Sequence, residues 1–417
     1  MSEGQPAKSG VDDLITAGER EPGAIAVNDF ICMTRDISNS YLVLTDKGNV
    51  LINAGASYAA PRKQAAYQTF SAAPIVAAIV TQSHPDHYGG LKTLLPEGAA
   101  LITSARYPSG MAERQALANF YAPRTNKLWH GVVGDKMDRP ATKPKAEIAP
   151  TVLVEDHHAF TLGGRRFEII ALPGGETLDG IGVWLPDHKV AFIGNLLGPA
   201  YLNVPNLNTL RGDRPRCPQR YIDSVSRIRA LEPELLITGH GDPIHGAASI
   251  RDDLNRMIEA MRSVRDQTMA GMAAGKDVWT LMREVRVPAE FSLAEAFGKT
   301  AWNVRSIWEQ LAGWFHYDST TSLYPVPRSE VSQDLAEVAG GAGNLAARAQ
   351  ALLDQGKPVH ALHLIDIALD ADPGHAAARS VKRAAHQYLL DHRGTANLNE
   401  SMWLKSELKI LDAGDGA

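Results

Sequence analysis

Short apolar runs separated by turn-forming residues fill the chain from residue 41 to residue 238. The β-rich runs 41–44 and 50–52 flank a turn at 46–49 and predict a β-hairpin. A helical stretch near 61–70 precedes the apolar run 75–80, which predicts a strand. Residues 104–145 mix charged residues, prolines and aromatic residues without a clear period, so we expect a long functional loop or an insertion. Further strands are predicted at 151–154, 159–162, 166–172, 181–185, 190–193 and 235–238.

The pattern changes to a helical one after residue 248. Apolar residues at i, i+3 and i+4 spacing predict helices over 250–272 and 276–285, and a further helix is predicted at 220–231. Residues 333–417 resemble antiparallel helix pairs with one tetratricopeptide-like repeat, which needs a packing partner to close its core. We therefore predict three parts, namely a flexible arm (1–23), a first domain (24–248) and a helical packing or dimerisation domain (249–417).

Composition excludes several classes of protein. The 42 Lys+Arg and 47 Asp+Glu residues give a net charge of −5, which argues against a nucleic-acid partner bound through phosphates. The apolar runs are far shorter than the about 20 residues that span a bilayer, so no membrane partner is expected. Two cysteines, Cys32 and Cys217, form no disulfide scaffold. The N-terminus lacks the pattern of a secretory leader, and we expect a cytoplasmic protein.

A cluster of potential metal ligands follows the predicted strand at 75–80. His84, Asp86 and His87 come directly after it and directly before Gly89-Gly90. Imidazole and carboxylate groups are ligands that zinc prefers. In α/β-type folds, functional residues usually lie on loops that follow strands. His84 can face one metal ion while Asp86 and His87 face a second. The sequence therefore predicts a metal site on this loop.

The run TQSHPDHYGG (81–90) resembles the signature T-H-x-H-x-D-H-x-G-G of metallo-β-lactamase-fold hydrolases, with Gln82 in place of the first histidine. Later segments are similar to those of the alkylsulfatase branch. LPGGET places Glu176 where the branch has a ligand glutamate, and LITGHG places His240 where it has its last histidine ligand. NLNTLRG places Asn206 and Arg211 where the branch holds the sulfate group.

Segments 302–307 and 311–315 are similar to the opening of the branch's dimerisation domain. The branch's usual C-terminal sterol-carrier-like domain has no counterpart up to residue 417, and we expect it to be missing. The resemblance implies an α/β fold, a metallo-β-lactamase αββα sandwich followed by the helical domain, and a homodimer. It also implies zinc-dependent hydrolysis of a small organic sulfate ester by a metal-bound hydroxide. The implied metal ligands are Gln82, His84, Asp86, His87, Glu176, Asn195 and His240. The implied catalytic residues are Asp86, Glu176 and His84. The implied substrate-binding residues are Asn206, Arg211 and Trp302.

The sequence departs from the family pattern at four positions. Besides Gln82, Asn195 stands where the family has a bridging carboxylate, Trp302 where many members have a histidine, and Asn53 where the I-D-x-G turn has aspartate. Two zinc ions bring four positive charges, whereas Asp86, Glu176 and a bridging hydroxide would supply three negative ones. Uncompensated charge in a cleft of low dielectric is costly. We therefore predict one tight zinc site at Asp86, His87 and His240, with a weaker second site beside Gln82, His84 and Glu176.

Other functions stay open at this point. The altered ligands are also compatible with a hydrolytic dehalogenase of an activated aromatic or with a lactone or lactam hydrolase. An anion-binding protein without catalysis is a third possibility, which the retention of Asp86, His87 and His240 disfavours. Bound zinc and turnover of an aryl sulfate, a lactone and a chloroaromatic would distinguish these functions.

Overall fold

The structure is a computed structural model that describes residues 21–133, 148–392 and 396–414, with only the backbone described for 130–133 and 414. Most of the predicted arm, residues 1–20, lies outside the described residues. The chain forms two compact units. The first contains the described residues up to 125 and from 148 to 311, and the second contains residues 126–133 and those from 312 onward.

The first unit contains a seven-stranded sheet whose strands follow one another in chain order. Strands β1 to β4 pair antiparallel, while β4 to β7 pair parallel. The carboxyl ends of β4 and β5 therefore lie side by side at one edge of the sheet. The strands are β1 (Ile25–Ala26), β2 (Ile31–Arg35), β3 (Asn39–Val43), β4 (Asn49–Ile52), β5 (Ile75–Ile79), β6 (Ala100–Ser104) and β7 (Val152–Val154).

A second sheet of six strands has the order β13-β12-β11-β10-β9-β8. Its neighbours pair antiparallel except β11 and β12, which are parallel. The loops after β11 and β12 therefore leave the sheet at the same edge. The strands are β8 (His157–Leu162), β9 (Arg165–Ala171), β10 (Ile181–Leu185), β11 (Val190–Phe192), β12 (Leu235–Ile237) and β13 (Ile244–His245).

The two sheets face each other across a shared apolar core. Side chains alternate along a strand, so Val50 and Ile52 of β4 point to the same face and meet Val183 of β10 in that core. Leu51 and Trp184 point outward and pack under the outer layers. The predicted αββα sandwich, with helices on both outer faces, is confirmed.

Helices on the outer faces include two where the sequence predicted a long loop. Over residues 104–133 that prediction was wrong, because α4 and α5 occupy most of the segment; residues 134–147 lie outside the described residues. In α4, Tyr107 and Met111 are buried one turn apart among mostly exposed neighbours, so the apolar stripe is too narrow to show a clear period. The helices are α1 (Ala60–Phe70), α2 (Pro85–Tyr88), α3 (Leu91–Leu94), α4 (Tyr107–Ala116), α5 (Ala118–Val133) and α6 (Pro218–Arg229).

Three further helices begin beyond residue 246 and pack against the second sheet. Ile250, Met257 and Val304 lie in the same apolar cluster as Trp184, and this cluster extends the first unit to residue 311. The predicted boundary at 248 follows the change from sheet to helix and stays a prediction about the domains. The helices are α7 (Ala247–Ala273), α8 (Val278–Glu284) and α9 (Thr300–Ala312).

The second unit is helical and has its own core. Small side chains such as Ala349, Ala361 and Ala385 let its helices approach closely around Ile365. No helix in the described parts of the chain is both long and apolar enough to cross a bilayer. Cytoplasmic location stays a prediction. The helices are α10 (Ser332–Val338), α11 (Ala342–Asp354), α12 (Pro358–Ala371), α13 (Ala376–His392) and α14 (Leu398–Gly414).

Candidate metal centre

Loops from both sheets bring the predicted ligands together. The short helix α2, which follows β5, supplies Asp86 and His87, and the loop after β12 supplies His240. One ligand atom from each of these residues lies within 4.8 Å of those of the other two. The nearest carboxylate oxygen of Asp86 is 3.5 Å from Nε2 of His87 and 3.8 Å from Nε2 of His240. Residues more than 150 positions apart therefore converge as a donor set of the kind that zinc prefers.

The main chain of one loop orients the His240 ring. Its Nδ1 lies 2.7 Å from the carbonyl oxygen of Ile37, which can only accept a hydrogen bond. Nδ1 therefore carries the hydrogen, and Nε2 presents a lone pair toward Asp86. Glycine at 239 permits this packing, since a Cβ there would lie 2.0 Å from Oδ1 of Asn195 and 2.9 Å from Cε1 of His87.

His87 is fully buried, and its Nε2 has no hydrogen-bond partner among the described residues. Burial lowers the pKa of His87 to about 4, so the ring is neutral at neutral pH. Burial acts to raise the pKa of Asp86, but the neighbouring imidazoles of His87, His240 and His84 outweigh it and the pKa lies below its usual value. An ionised carboxylate, a lone pair on His240 and a buried nitrogen without a partner fit a divalent cation.

The other predicted ligands lie beside this group and hydrogen bond to one another. Gln82 contacts Nδ1 of His84 through its amide nitrogen at 2.8 Å. The same His84 nitrogen is 3.5 Å from Oε2 of Glu176, and Asn195 donates to that oxygen at 2.7 Å. The Asn195 amide nitrogen is also 3.1 Å from Nε2 of His240. The weaker second metal site at Gln82, His84 and Glu176 stays a prediction. In the structure, His84 contacts both Gln82 and Glu176.

Burial opposes ionisation of Glu176, yet its pKa lies well below the usual value. The hydrogen bond to His84 and the charge of Arg216 lower it. Arg216 is buried, donates to the carbonyl oxygen of Glu176 at 2.9 Å and also donates to that of Asn206. Arg216 is therefore a buried part of this cluster. Arg214 is exposed and pairs with Glu113.

Arg211 lies next to the imidazole of His84, with its Nη2 3.3 Å from Nε2 of that ring. Asn206 is buried, and neither atom of its side-chain amide has a hydrogen-bond partner among the described residues. Trp302 is half-buried at the start of α9, where the ammonium of Lys299 is 5.4 Å from its ring centroid. The next residue, Asn303, reaches the loop of Asn206 by accepting from the backbone N–H of Leu207 at 3.2 Å.

Sequence reasoning missed Asp213. Its carboxylate lies 3.3 Å from Nε2 of His84, 3.6 Å from Arg114 and 3.8 Å from Arg211. Burial acts to raise the pKa of Asp213, but His84 and Arg114 hold it far below its usual value. Its place directly after Arg211-Gly212 was the available signal, and Arg114 lies in the segment read as a loop.

A cavity of about 260 Å³ opens beside this cluster. Its walls combine charged and polar side chains with few large apolar ones. A cavity of this size and lining suits a small polar ligand better than a long hydrocarbon chain. Lining residues include Ser83, Arg114, Tyr121, Glu176, Asp213 and Arg216.

Comparisons with known proteins agree with this architecture. Residues 33–240 match the sequence model of the metallo-beta-lactamase superfamily, and residues 282–407 match that of alkyl sulfatase dimerisation. The chain belongs to the metallo-beta-lactamase superfamily and carries an alkyl sulfatase dimerisation domain. The resemblance stated from the motifs is therefore confirmed.

The curated relatives are hydrolases by name. A linear primary-alkylsulfatase of Pseudomonas sp. (strain ATCC 19151) is 26% identical over 381 residues, covering 86% of this chain and 70% of that protein. An (R)-specific secondary-alkylsulfatase of Pseudomonas sp. is 25% identical over 382 residues, covering 85% and 57%. An alkyl/aryl-sulfatase of Saccharomyces cerevisiae (strain ATCC 204508 / S288c) is 24% identical over 333 residues, covering 74% and 51%. The prediction of a hydrolase from a metal-dependent family is confirmed at that level.

The fold is also shared with a solved structure. The stereoselective inverting sec-alkylsulfatase Pisa1 from Pseudomonas sp. superimposes with a TM-score of 0.81 at 22% identity. The match covers 97% of this chain and 69% of that chain. This similarity supports the two-part architecture.

Proposed function

We propose that this protein is a zinc-dependent sulfatase that hydrolyses a small organic sulfate ester to an alcohol and hydrogen sulfate, with water as the second reactant. The observation that carries the proposal is the convergence of Asp86, His87 and His240 next to the Arg211 cluster. Relatives with alkylsulfatase names support the substrate class. A divalent cation bound by the three donors would supply Lewis acidity to the reaction.

Arg211 and Asn206 are the proposed anchors for the sulfate group. A planar guanidinium donates in a fork that matches two oxygens of a sulfate, and an unpartnered buried amide gains hydrogen bonds when an anion arrives. Arg114 stands across Asp213 from Arg211 and adds a second cation to this place. The cluster therefore holds the charged end of the substrate, while the cavity limits the size of the alcohol part.

Glu176 and His84 are the proposed proton-handling pair. Their facing atoms are 3.5 Å apart, and the depressed pKa of Glu176 keeps it ionised at neutral pH as an acceptor. Asn195 donates to the same carboxylate and fixes its orientation. Proton transfer by a positioned side chain is worth about 10²–10⁴-fold in rate.

Turnover of an aryl sulfate by zinc-loaded protein tests the proposal directly. We expect turnover that stops on chelation and returns when zinc is added, with a lactone and a chloroaromatic as comparison substrates. A zinc-loaded protein that turned over none of the three would favour anion binding without catalysis. Turnover of only the lactone or only the chloroaromatic would contradict the sulfatase proposal and support a lactone hydrolase or a dehalogenase instead.

Replacing Arg211 by alanine is expected to raise KM for the sulfate ester by about 10–100-fold, because a hydrogen bond to a charged group is lost. Zinc content should stay unchanged, since Arg211 lies outside the three-donor group. Steady-state kinetics and metal analysis measure both. Arg166→Ala is the matched control, because Arg166 is exposed on β9 and pairs with Glu168. Equal kinetics in the Arg211 variant and this control would remove the anchor role.

A homodimer is proposed through the second unit, which contains most of the matched dimerisation domain. Large apolar side chains are exposed there, including Trp314 at 72% and Tyr317 at 91%. Such a patch on a soluble surface marks a protein contact. Light scattering should give about twice the chain mass of 45.0 kDa. A mass of one chain at micromolar concentration would contradict the proposal.

A further inference from the structure

Asn53 contacts His87 from the side opposite to the metal-binding nitrogen. It follows β4, is buried, and has a left-handed backbone conformation with φ of 58°. Its Oδ1 accepts from the backbone N–H of Thr81 at 2.9 Å and from the Thr81 hydroxyl at 3.1 Å. Its Nδ2 lies 2.9 Å from Nδ1 of His87.

The backbone N–H of Thr81 fixes which way the amide points. A main-chain N–H can only donate, so the Asn53 atom facing it must be the oxygen. The amide nitrogen therefore faces His87 and donates to Nδ1, which must carry a lone pair. A neutral imidazole has one hydrogen, and it is then on Nε2.

This tautomer is the wrong one for metal binding. Nε2 of His87 is the atom that points into the three-donor group, and a ligand nitrogen must present a lone pair. His240 has the opposite tautomer, because a carbonyl oxygen accepts from its Nδ1 and leaves Nε2 free. The two imidazoles of the site therefore differ, because His240 presents a lone pair at Nε2 whereas His87 presents a hydrogen there.

We propose that Asn53 is a positioning residue that lowers the metal affinity of this centre by stabilising the His87 tautomer with hydrogen on Nε2. The inference rests on the proposed metal centre. When a metal ion binds Nε2, the ring hydrogen moves to Nδ1 and meets the NH₂ group of Asn53. Rotating the amide relieves that contact but turns the NH₂ group toward the Thr81 N–H. Every arrangement leaves two donors facing each other.

Aspartate at position 53 would remove the conflict. One of its oxygens can accept from Thr81 and the other from Nδ1–H of His87, which leaves Nε2 free for the metal ion. Glycine would remove the amide without adding charge, and glycine tolerates the positive φ at this position. The two substitutions therefore separate release of the tautomer from the effect of an added negative charge.

The test compares zinc affinity in the full-length wild type, Asn53→Asp and Asn53→Gly, using competition with a fluorescent chelator. We expect Asn53→Asp to bind zinc about 10–100-fold more tightly, the range for partners that orient a ligand histidine. Asn53→Gly should bind at least as tightly as the wild type. Long-range ¹H–¹⁵N NMR of the metal-free proteins should show His87 protonated on Nε2 in the wild type and on Nδ1 in Asn53→Asp.

Three results would overturn the inference. They are a metal-free wild type with His87 protonated on Nδ1, no gain in affinity for Asn53→Asp, and weaker zinc binding by Asn53→Gly. Weaker zinc binding by Asn53→Gly is the result expected if Asn53 only held the His87 ring in place. Failure of the proposed function looks different, because then none of the three proteins binds zinc, and that result overturns the inference as well.

Discussion

Replacing Asp86 by asparagine is expected to lower sulfate-ester turnover by about 10³-fold or more, since Lewis-acid assistance is worth several kcal/mol. The substitution keeps the size of the side chain but removes its negative charge. Two imidazoles then remain to hold a doubly charged ion in a buried cleft, so bound zinc should fall to background. Steady-state kinetics and metal analysis on the same sample measure both effects.

Asp46→Asn is the matched control for Asp86→Asn. Asp46 is exposed in the turn before β4, so both kinetics and zinc content should match the wild type. The proposed sulfate anchor should be unaffected by Asp86→Asn, because Arg211 contacts His84 and Asp213 instead of Asp86. An Asp86→Asn protein that kept wild-type zinc content and turnover would contradict the assignment of Asp86 as a ligand.

Replacing Asp36 by alanine is expected to destabilise the protein by about 3–5 kcal/mol, the usual effect of leaving a buried charge unpaired. Lys63 is fully buried, and its ammonium lies 3.3 Å from the Asp36 carboxylate. Asp36 also accepts from the backbone N–H groups of Ser38 and Ala56 at 2.7 and 3.0 Å. Thermal unfolding should show a Tm lowered by roughly 10 °C for a domain of this size.

The same pair connects the core to the candidate metal centre. Between Asp36 and Ser38 lies Ile37, whose carbonyl oxygen orients His240, and the Ser38 hydroxyl donates to the carbonyl oxygen of Asp86. Loss of the Asp36 carboxylate should therefore weaken zinc binding as well as stability. Asp266→Ala, on the exposed side of α7, is the control and should change stability by less than about 0.5 kcal/mol.

A double replacement identifies the cause. Asp36→Ala combined with Lys63→Met removes both charges, so it should be less destabilising than Asp36→Ala alone, because no unpaired ammonium remains buried. A single Asp36→Ala variant with an unchanged Tm would contradict the account of this pair. A double variant no more stable than the single one would assign the loss to the backbone N–H partners instead.

The strands of both sheets were largely predictable, because most are rich in apolar residues and are bounded by turn residues. The predicted strands at 181–185 and 190–193 match β10 and β11 closely. β2 and β6 were not predicted. Burial on both faces gives near-continuous apolar runs whose ends are set by pairing with neighbours, which the sequence does not show.

The site was predictable only where a local pattern carried it. His84, Asp86 and His87 lie in one motif, and His240 was assigned because LITGHG resembles a segment of the alkylsulfatase branch. Asp213 was not predicted, because its place in the site depends on the contact with Arg114, which lies on α4 about a hundred residues away in the sequence. The direction of the Asn53 amide depends on the Thr81 N–H, and that contact exists only after β4 and β5 pair.

We expect Asp86, His87 and His240 to bind one zinc ion. Anomalous diffraction at the zinc edge, from crystals soaked in zinc, tests it most directly. We expect one dominant peak about 2.0–2.2 Å from an Asp86 oxygen and from Nε2 of both histidines. No peak there, or a peak of equal height beside Gln82, His84 and Glu176, would contradict it.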